Sequence, residues 1–356
     1  MRTLLRPTAF VDSPFGHDGK VARLAGGLNW FAAVELIRVE DDLRIGTELV
    51  PVEGIEDRFD KDMARQWSAL TALRAPLQLG ERTVRLDQPQ VMGIVNATPD
   101  SFSDGGQFAD AAAAAGAGAD MAGQGAAIID VGGESTRPGA RSVWEGDEIE
   151  RIVPVIRQLA LGGAAVSADT RKADVMTAAL EAGARMINDV SALTYDARSA
   201  GIIAASSVPI VLMHHKGAPE TMQENPQYGD VLVEVYQWLE ERINAAEDAG
   251  ISRSRILVDP GFGFGKNVGH NLELMNGLAL FHSLGCPIVI GASRKRTIGA
   301  LSGEAPADKR VGGSIAFAIK AAEQGAQILR VHDVFETVQA VKVWRGLRDQ
   351  ALTPRT

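Results

Sequence analysis

Cysteine is nearly absent: Cys286 stands alone in 356 residues. A single thiol excludes an intrachain disulfide and fits a reducing compartment. Within "GCPIVIGA" it reads as a small core hydrophobe in a buried strand. Long apolar runs are missing too, and no stretch approaches the ~18 residues that a membrane span needs. The opening "MRTLLRPTAF" has two arginines and no acid, but Pro7 breaks an amphipathic helix and no secretion-signal core follows. The expectation is a cytoplasmic protein without a membrane partner. An excess of basic residues is equally lacking. The formal net charge is −9, so no nucleic-acid partner is expected.

What is present is a repeated unit. From about residue 90, short apolar runs end in polar loops, and helix-like stretches follow. The runs are 91–95, 127–131, 165–168, 185–188, 209–213, 255–259, 287–291 and 327–331. Runs without polar alternation suit parallel strands buried on both faces. Eight strand–helix units up to residue 349 match a closed α/β barrel, a (β/α)8 TIM barrel of ~250 residues; an open doubly wound sheet is the alternative. Residues 230–250 predict a helix with Val231, Val235, Leu239 and Ile243 on one face and Gly250 as its stop. Helices are also predicted over 334–349 and over the alanine-rich 109–127. Residues 1–88 break the pattern and form an additional N-terminal α+β extension. In it "WFAAVELIRV" predicts a strand, and residues 60–73 a helix presenting Met63, Trp67 and Leu70. The division is 1–88 extension, 89–350 barrel and 351–356 tail.

The loop "DPGFGFGK" (259–266) poses a chemical question, because its glycines suggest a phosphate cradle while Asp259 would repel an anion. The spacing fails both nucleotide motifs. A P-loop needs one more residue before Lys266 and a Ser or Thr where Asn267 stands, and Lys266 occupies the third glycine position of a dinucleotide fingerprint. Barrel sites form at the C-terminal ends of the strands. There, Asp169, Asn188 and Asp259 are acceptors suited to a flat heterocycle rich in N–H donors, and Lys295 can donate to the same ring. The glycines would let the backbone and Phe264 come close to it. Arg330, His332, Thr136 and Asn96 form a second set. Arginine pairs bidentately with phosphate oxygens, and a neutral oxygen such as that of Asn96 suits Mg²⁺ shared with substrate phosphates.

Plainer roles are open to several of these residues. Asp169 or Asp189, taken singly, could equally cap the next helix, and His332 could be structural. His214 and His215 are adjacent and do not make a metal pair. His17, His270 and His282 are expected at the surface, Arg171 in solvent, and "RSVWEGDEIERI" (141–152) on a solvated helix face.

The segments "GIVNATPDSFSDGG", "IIDVGGESTRPGA", "DTRK", "INDV", "DPGFGFGK", "GASRK" and "RVHDV", in this order, closely resemble the dihydropteroate synthase family over about residues 90–349. The resemblance implies a (β/α)8 barrel, usually a homodimer. It also implies the joining of 6-hydroxymethyl-7,8-dihydropterin diphosphate to p-aminobenzoate, giving 7,8-dihydropteroate and diphosphate for folate biosynthesis. By the same resemblance, Asn96 binds Mg²⁺ with the diphosphate, and Thr136, Arg330 and His332 contact the diphosphate. Asp169, Asn188, Asp259 and Lys295 hold the pterin, with Met213 and Phe264 lining its pocket and Ser293 among the substrate contacts. Asp100, Phe102, Arg137 and Pro138 sit on loops that close over the p-aminobenzoate. Asn96, Lys295, Arg330 and His332 carry the catalysis.

The sequence departs from the family in places. Arg296, followed by Thr297, stands where a serine commonly helps to bind the p-aminobenzoate carboxylate. Ala97 and Ala168 replace valines, and "MHHKG" replaces the usual Met-Gln after the first histidine. Two other functions share these features. A corrinoid-linked methyltetrahydrofolate methyltransferase would keep the ring-reading acids but not the diphosphate set, and a catalytically silent pterin-binding subunit would lose diphosphate or loop residues.

Overall fold

The computed structural model describes residues 1–97, 107–135, 142–217 and 221–353. The chain begins with a sheet of β1 (Arg2–Val11), β2 (Ala22–Arg23), β3 (Trp30–Glu40) and β4 (Leu43–Pro51), followed by α1 (Lys61–Thr71). β1 is an edge strand, paired antiparallel with β3, so Pro7 interrupts no inner ladder. α1 starts where the Asp60 carboxylate accepts from Met63 N at 2.8 Å, a side-chain N-cap. Its Gln66 is buried and stitches the helix to β1, accepting from Leu5 N at 2.9 Å and donating to Thr3 O at 2.8 Å. The predicted Met63 and Leu70 are buried, with Trp67 packed beside them.

A hairpin, β5 (Leu77–Leu79) and β6 (Arg82–Val84), leads into the barrel strands β7 (Gln90–Asn96), β8 (Ile128–Gly132), β9 (Val166–Asp169), β10 (Met186–Asp189), β11 (Ile210–Met213), β12 (Ile256–Asp259), β13 (Val289–Ile290) and β14 (Ile328–Val331). They pair in parallel in the order β12-β11-β10-β9-β8-β7-β14-β13. A parallel bridge between Val258 and Ile288 joins the two ends, which decides for the closed barrel over the open sheet. Around it run α2 (Gln107–Gln124), α3 (Glu145–Leu161), α4 (Ala173–Ala182), α5 (Ser199–Ala205), α6 (Val231–Asp248), α7 (Val268–Asn276), α8 (Arg296–Leu301), α9 (Val311–Glu323) and α10 (Val334–Ala351). The alanine-rich stretch is a helix, and Val231, Val235, Leu239 and Ile243 are all buried on α6.

Side chains alternate in and out along each strand, and the barrel interior follows in layers. Met92, Ile128, Ala165, Met186, Val211, Leu257, Val289 and Ile328 form one apolar cluster with Leu77, Leu79, Val84 and Leu86. The hairpin and the residues just after it thus close the N-terminal end. Two residues further along, the same inward face carries Ile94, Asp130, Ser167, Asn188, Met213, Asp259, Gly291 and Arg330. An apolar floor beneath a mostly polar layer places these ionisable groups at one end of the barrel.

The extension is joined to the barrel on several sides. Leu4, Ile37 and Val39 belong to the main core cluster. Arg2 forms a fork with Glu240 of α6 at 2.5 and 2.7 Å. Arg44 reaches the Asp230 carboxylate at 2.7 Å, whose other oxygen caps α6 through Leu232 N and Val233 N. Asn29 donates to Ala322 O at 2.7 Å, and Arg348 of α10 donates to Leu28 O at 2.8 Å.

Two expectations are corrected. His282 is fully buried in a 3-10 helix, Leu278–Leu284, whose seven residues are all covered. A tight 3-10 segment enclosed all round leaves no periodic signal. Within the charged stretch 141–152, Glu148 is completely buried and receives Lys172 Nζ at 2.5 Å.

Because Leu4, Ile37 and Val39 complete the barrel's own core, deleting residues 1–74 is expected to lower the thermal midpoint by more than 10 °C or to give aggregated protein. Differential scanning calorimetry with light scattering checks this, and an unchanged midpoint would refute it.

Candidate active site

Register brings the strand ends level. Asn96 pairs with Gly132, Gly132 with Asp169, and Asp169 with Asn188; Met213 pairs with Asp259. Asp259 and Arg330 come from strands separated by β13, yet both lie beside Gly291, just past its end. A methyl group built there would lie 3.9 Å from Asp259 Oδ2 and 3.9 Å from Arg330 Cδ. The acceptor set and the guanidinium therefore lie side by side at the same end of the barrel.

Arg330 is its centre. Nε donates to Asp130 Oδ2 at 2.6 Å and Nη2 to Asp169 Oδ2 at 2.6 Å. Asn188 Nδ2 donates to the same Asp130 oxygen at 3.1 Å. Burial alone would lower the Arg330 pKa, but Asp130 and Asp169 outweigh it and hold the group firmly charged. Burial raises the Asp169 carboxyl; Arg330 opposes the rise and Asp130 adds to it. Burial likewise pushes Asp259 up to about 6, against the Gly261 N–H and the charges of Lys295 and Arg330. Asp130 was not foreseen. Its signal is parity: it stands two residues beyond Ile128 of the floor, on the same inward face. Asp189, one position past inward Asn188, faces away and holds the next turn through Ser191 N at 2.7 Å and Leu193 N at 2.8 Å.

The glycine loop is packed against protein. Gly261, Gly263 and Gly265 all have positive φ. A Cβ on Gly261 would sit 1.7 Å from His214 O, and one on Gly265 2.3 Å from Lys216 O. The loop thus lies directly on the backbone after β11, where any side chain would collide. Lys266 staples it: Nζ lies 3.0 Å from Gly261 O, 3.0 Å from Phe264 O and 2.8 Å from His214 Nδ1. Burial lowers this lysine to about 7 and takes His214 well below its ordinary value, with Lys266 adding to the effect. Lys295 Nζ stands 4.0 Å from the centre of the Phe264 ring, a cation–π contact. His214 turns to Lys266, whereas His215 Nδ1 meets Gly217 O at 3.3 Å.

After β14, His332 packs on Ser293. The Ser293 hydroxyl oxygen accepts from His332 N at 3.2 Å and lies 3.1 Å from Nδ1. Its hydrogen can donate to Nδ1 in the tautomer that carries the ring proton on Nε2. Burial, reinforced by Arg330, pushes His332 down to about 3, so it offers a neutral N–H rather than a positive charge.

The loop after β8 is held at both ends by Lys172, which reaches Glu134 at 2.9 Å, Glu148 at 2.5 Å and Val143 O at 2.7 Å. Arg171, expected in solvent, binds Glu134 at 2.9 Å and lies 4.1 Å from the Tyr195 ring centre. Thr136, Arg137 and Pro138, and Asp100 and Phe102 on the other loop, lie outside the described residues.

Lys266 yields a signed prediction. The folded protein releases this proton near pH 7, whereas the unfolded chain keeps it to about 10.4. The lysine's contribution to stability therefore rises with pH across that window, by at most about 1.4 kcal/mol per unit. The gap in thermal midpoint between wild type and Lys266→Met is expected to widen from pH 7 to pH 9; a constant gap would contradict the shift.

Comparison with known proteins agrees with this arrangement. The pterin binding enzyme family matches residues 92–332. Dihydropteroate synthase of Escherichia coli K12 is 46% identical over 259 residues, covering 72% of this chain and 91% of that protein. The Xanthomonas albilineans dihydropteroate synthase structure with 4-aminobenzoic acid superposes with a TM-score of 0.74 at 47% identity, covering 79% of this chain and 100% of the other. The structure of that enzyme with 7,8-dihydropteroate gives 0.71 at 44% identity, covering 78% and 100%. With the strand-end motifs gathered at one rim and these matches in place, the chain belongs to the dihydropteroate synthase family of pterin binding enzymes.

Proposed function

We propose that the strand ends divide the work of dihydropteroate synthesis between a ring-reading set and a leaving-group set. The reaction joins 6-hydroxymethyl-7,8-dihydropterin diphosphate to p-aminobenzoate and releases diphosphate. The observation that carries the division is the juxtaposition at one rim, with Arg330 gripped by Asp130 and Asp169 and close to Asp259. Asp169, Asn188 and Asp259 accept from the ring's N–H groups. Lys295 donates to the ring, and Met213 and Phe264 line its pocket. These acids are desolvated, so each bond they form to a donor is stronger than in water.

Arg330 and the Nε2–H of His332 face the diphosphate, with Thr136 completing the set. The C–O bond to diphosphate breaks, leaving a methylene cation stabilised by the ring while negative charge grows on the departing group. Donors already in place meet that charge without reorganisation. The aniline nitrogen then attacks the methylene and gives up one proton, and much of the remaining gain comes from holding the two reactants in line. Thr297 is buried and accepts from Asn271 at 3.1 Å, whereas Arg296 is exposed. This supports Arg296 as the group that meets the p-aminobenzoate carboxylate. Asp100, Phe102, Arg137 and Pro138 would close over that pocket.

Asn96 is the proposed Mg²⁺ ligand. It is half-buried and level with Asp169 at the rim, and the described residues contain no cluster of three metal-binding side chains. One neutral oxygen with substrate phosphates and water fits Mg²⁺ better than a metal needing a protein cage. When bound, the ion supplies charge neutralisation on the diphosphate.

Incubating the protein with pterin diphosphate, p-aminobenzoate and Mg²⁺ is expected to give dihydropteroate and diphosphate. Arg330→Lys keeps a charge between the two aspartates but loses the fork, and should lower kcat by about 10²–10³. Absence of product from the wild type, or full activity in the variant, would refute the assignment. Exposed Phe335, Val343 and Leu347 along α10 support a homodimer. Analytical ultracentrifugation should show twice the chain mass, with a monomer as the opposing result.

A further inference from the structure

Asp130 has no role in the division of labour above, yet two of its members depend on it. Its side chain is completely buried. Oδ2 accepts from Arg330 Nε at 2.6 Å and from Asn188 Nδ2 at 3.1 Å. Oδ1 is also buried and has no partner among the described residues. Leaving half of a buried carboxylate without a hydrogen bond is costly. The strand position offers an apolar solution, since Ile128 two residues earlier fills the same face with a hydrocarbon.

We propose that Asp130 is a positioning residue for ring recognition, fixing the Asn188 amide and the Arg330 guanidinium through a single oxygen. This rests on the functional reading above and deepens it. A carboxylate accepts hydrogen bonds and does not donate them. The Asn188 atom facing it must therefore be the amino nitrogen, which leaves the Asn188 carbonyl oxygen as the acceptor for a ring N–H. A flipped amide would offer the ring a donor instead and repel it. The same oxygen holds Arg330 at Nε. The guanidinium plane then stays fixed even when Nη2 exchanges Asp169 for a phosphate oxygen.

The proposal has a charge consequence. The charged groups acting on Asp169 are Arg330 from β14, Asp130 from β8, Glu148 from α3 and Asp189 from β10. Of these Arg330 alone is positive, and Asp130 shares it. Neutralising Asp130 leaves Arg330 to Asp169, which then ionises more readily.

Two variants test this, with the dissociation constant of the pterin diphosphate measured from pH 5 to 9 by calorimetry and the KM for p-aminobenzoate measured separately. Asp130→Leu removes the acceptor and should weaken pterin binding 10–100-fold while leaving the p-aminobenzoate KM within about twofold, the scale on which supporting contacts around a site act. Asp130→Asn can still present an oxygen to Arg330 and Asn188. It should recover most of the affinity, and the acid side of its binding profile should move to lower pH. Wild-type affinity and an unshifted profile in both variants would overturn the proposal. So would equal loss for both substrates together with a lowered thermal midpoint. If Asp130→Leu does not fold, the pH profile of Asp130→Asn decides alone. Failure of the wild type to bind the pterin diphosphate would instead overturn the functional reading, and this inference with it.

Discussion

One arginine shared by two aspartates inside a barrel is the contact on which the rest depends. Taking Arg330, Asp130 and Asp169 out of water is unfavourable, and only their mutual geometry at 2.6 Å offsets it. Two acids on one cation leave an excess of negative charge, to which Asp259 adds. Burial accordingly raises the carboxyls of Asp169 and Asp259. Such a cluster is poor for stability and well suited to a substrate that brings N–H donors and an anion together. The donors relieve the acids, and the anion takes up the arginine. The floor of apolar side chains beneath makes this tolerable, because the hydrophobic layers and the hairpin plug hold the barrel closed independently of the charges.

Lysines fix the loops around that cluster from within. Lys266 ties Gly261 O and Phe264 O, and Lys172 ties Val143 O and the acids Glu134 and Glu148. In each case a long apolar stem is buried and the amino group gathers acceptors from more than one segment. The glycines of the 261–265 loop belong to the same device. They allow backbone to lie against backbone at His214 and Lys216, which sets where Phe264 and Lys295 stand. The loop that looked like a cradle for a ligand is first a close packing of two strand ends.

The N-terminal sheet follows a different logic. Its contacts with the barrel combine shared core residues with partly buried ion pairs at α6 and backbone bonds at α9 and α10. Surface ion pairs contribute little singly. Here they accompany apolar contact through Leu4, Ile37 and Val39, while Leu5, Phe31, Val34 and Leu70 form a second cluster within the extension. Gln66 covers the β1 edge that would otherwise be free to pair with another chain.

The sequence by itself determined the barrel, because eight apolar runs at regular spacing leave few other solutions, and it placed Asp169, Asn188, Asp259, Lys295, Arg330 and His332 at one rim. It also located α1, α2, α6 and β3, whose periodicity or composition is local. Tertiary structure alone decided which neighbours share a charge. Asp130 went unread within the run 127–131, and only parity turns it inward to Arg330, 200 positions away in the chain. Lys266 looked like the end of a motif, His282 a surface residue, Arg171 and Glu148 solvated charges. The reason is the range of the interactions. Hydrophobic period is written in consecutive residues, whereas the environment of a buried charge is set by groups from distant strands, and no local pattern records their distance.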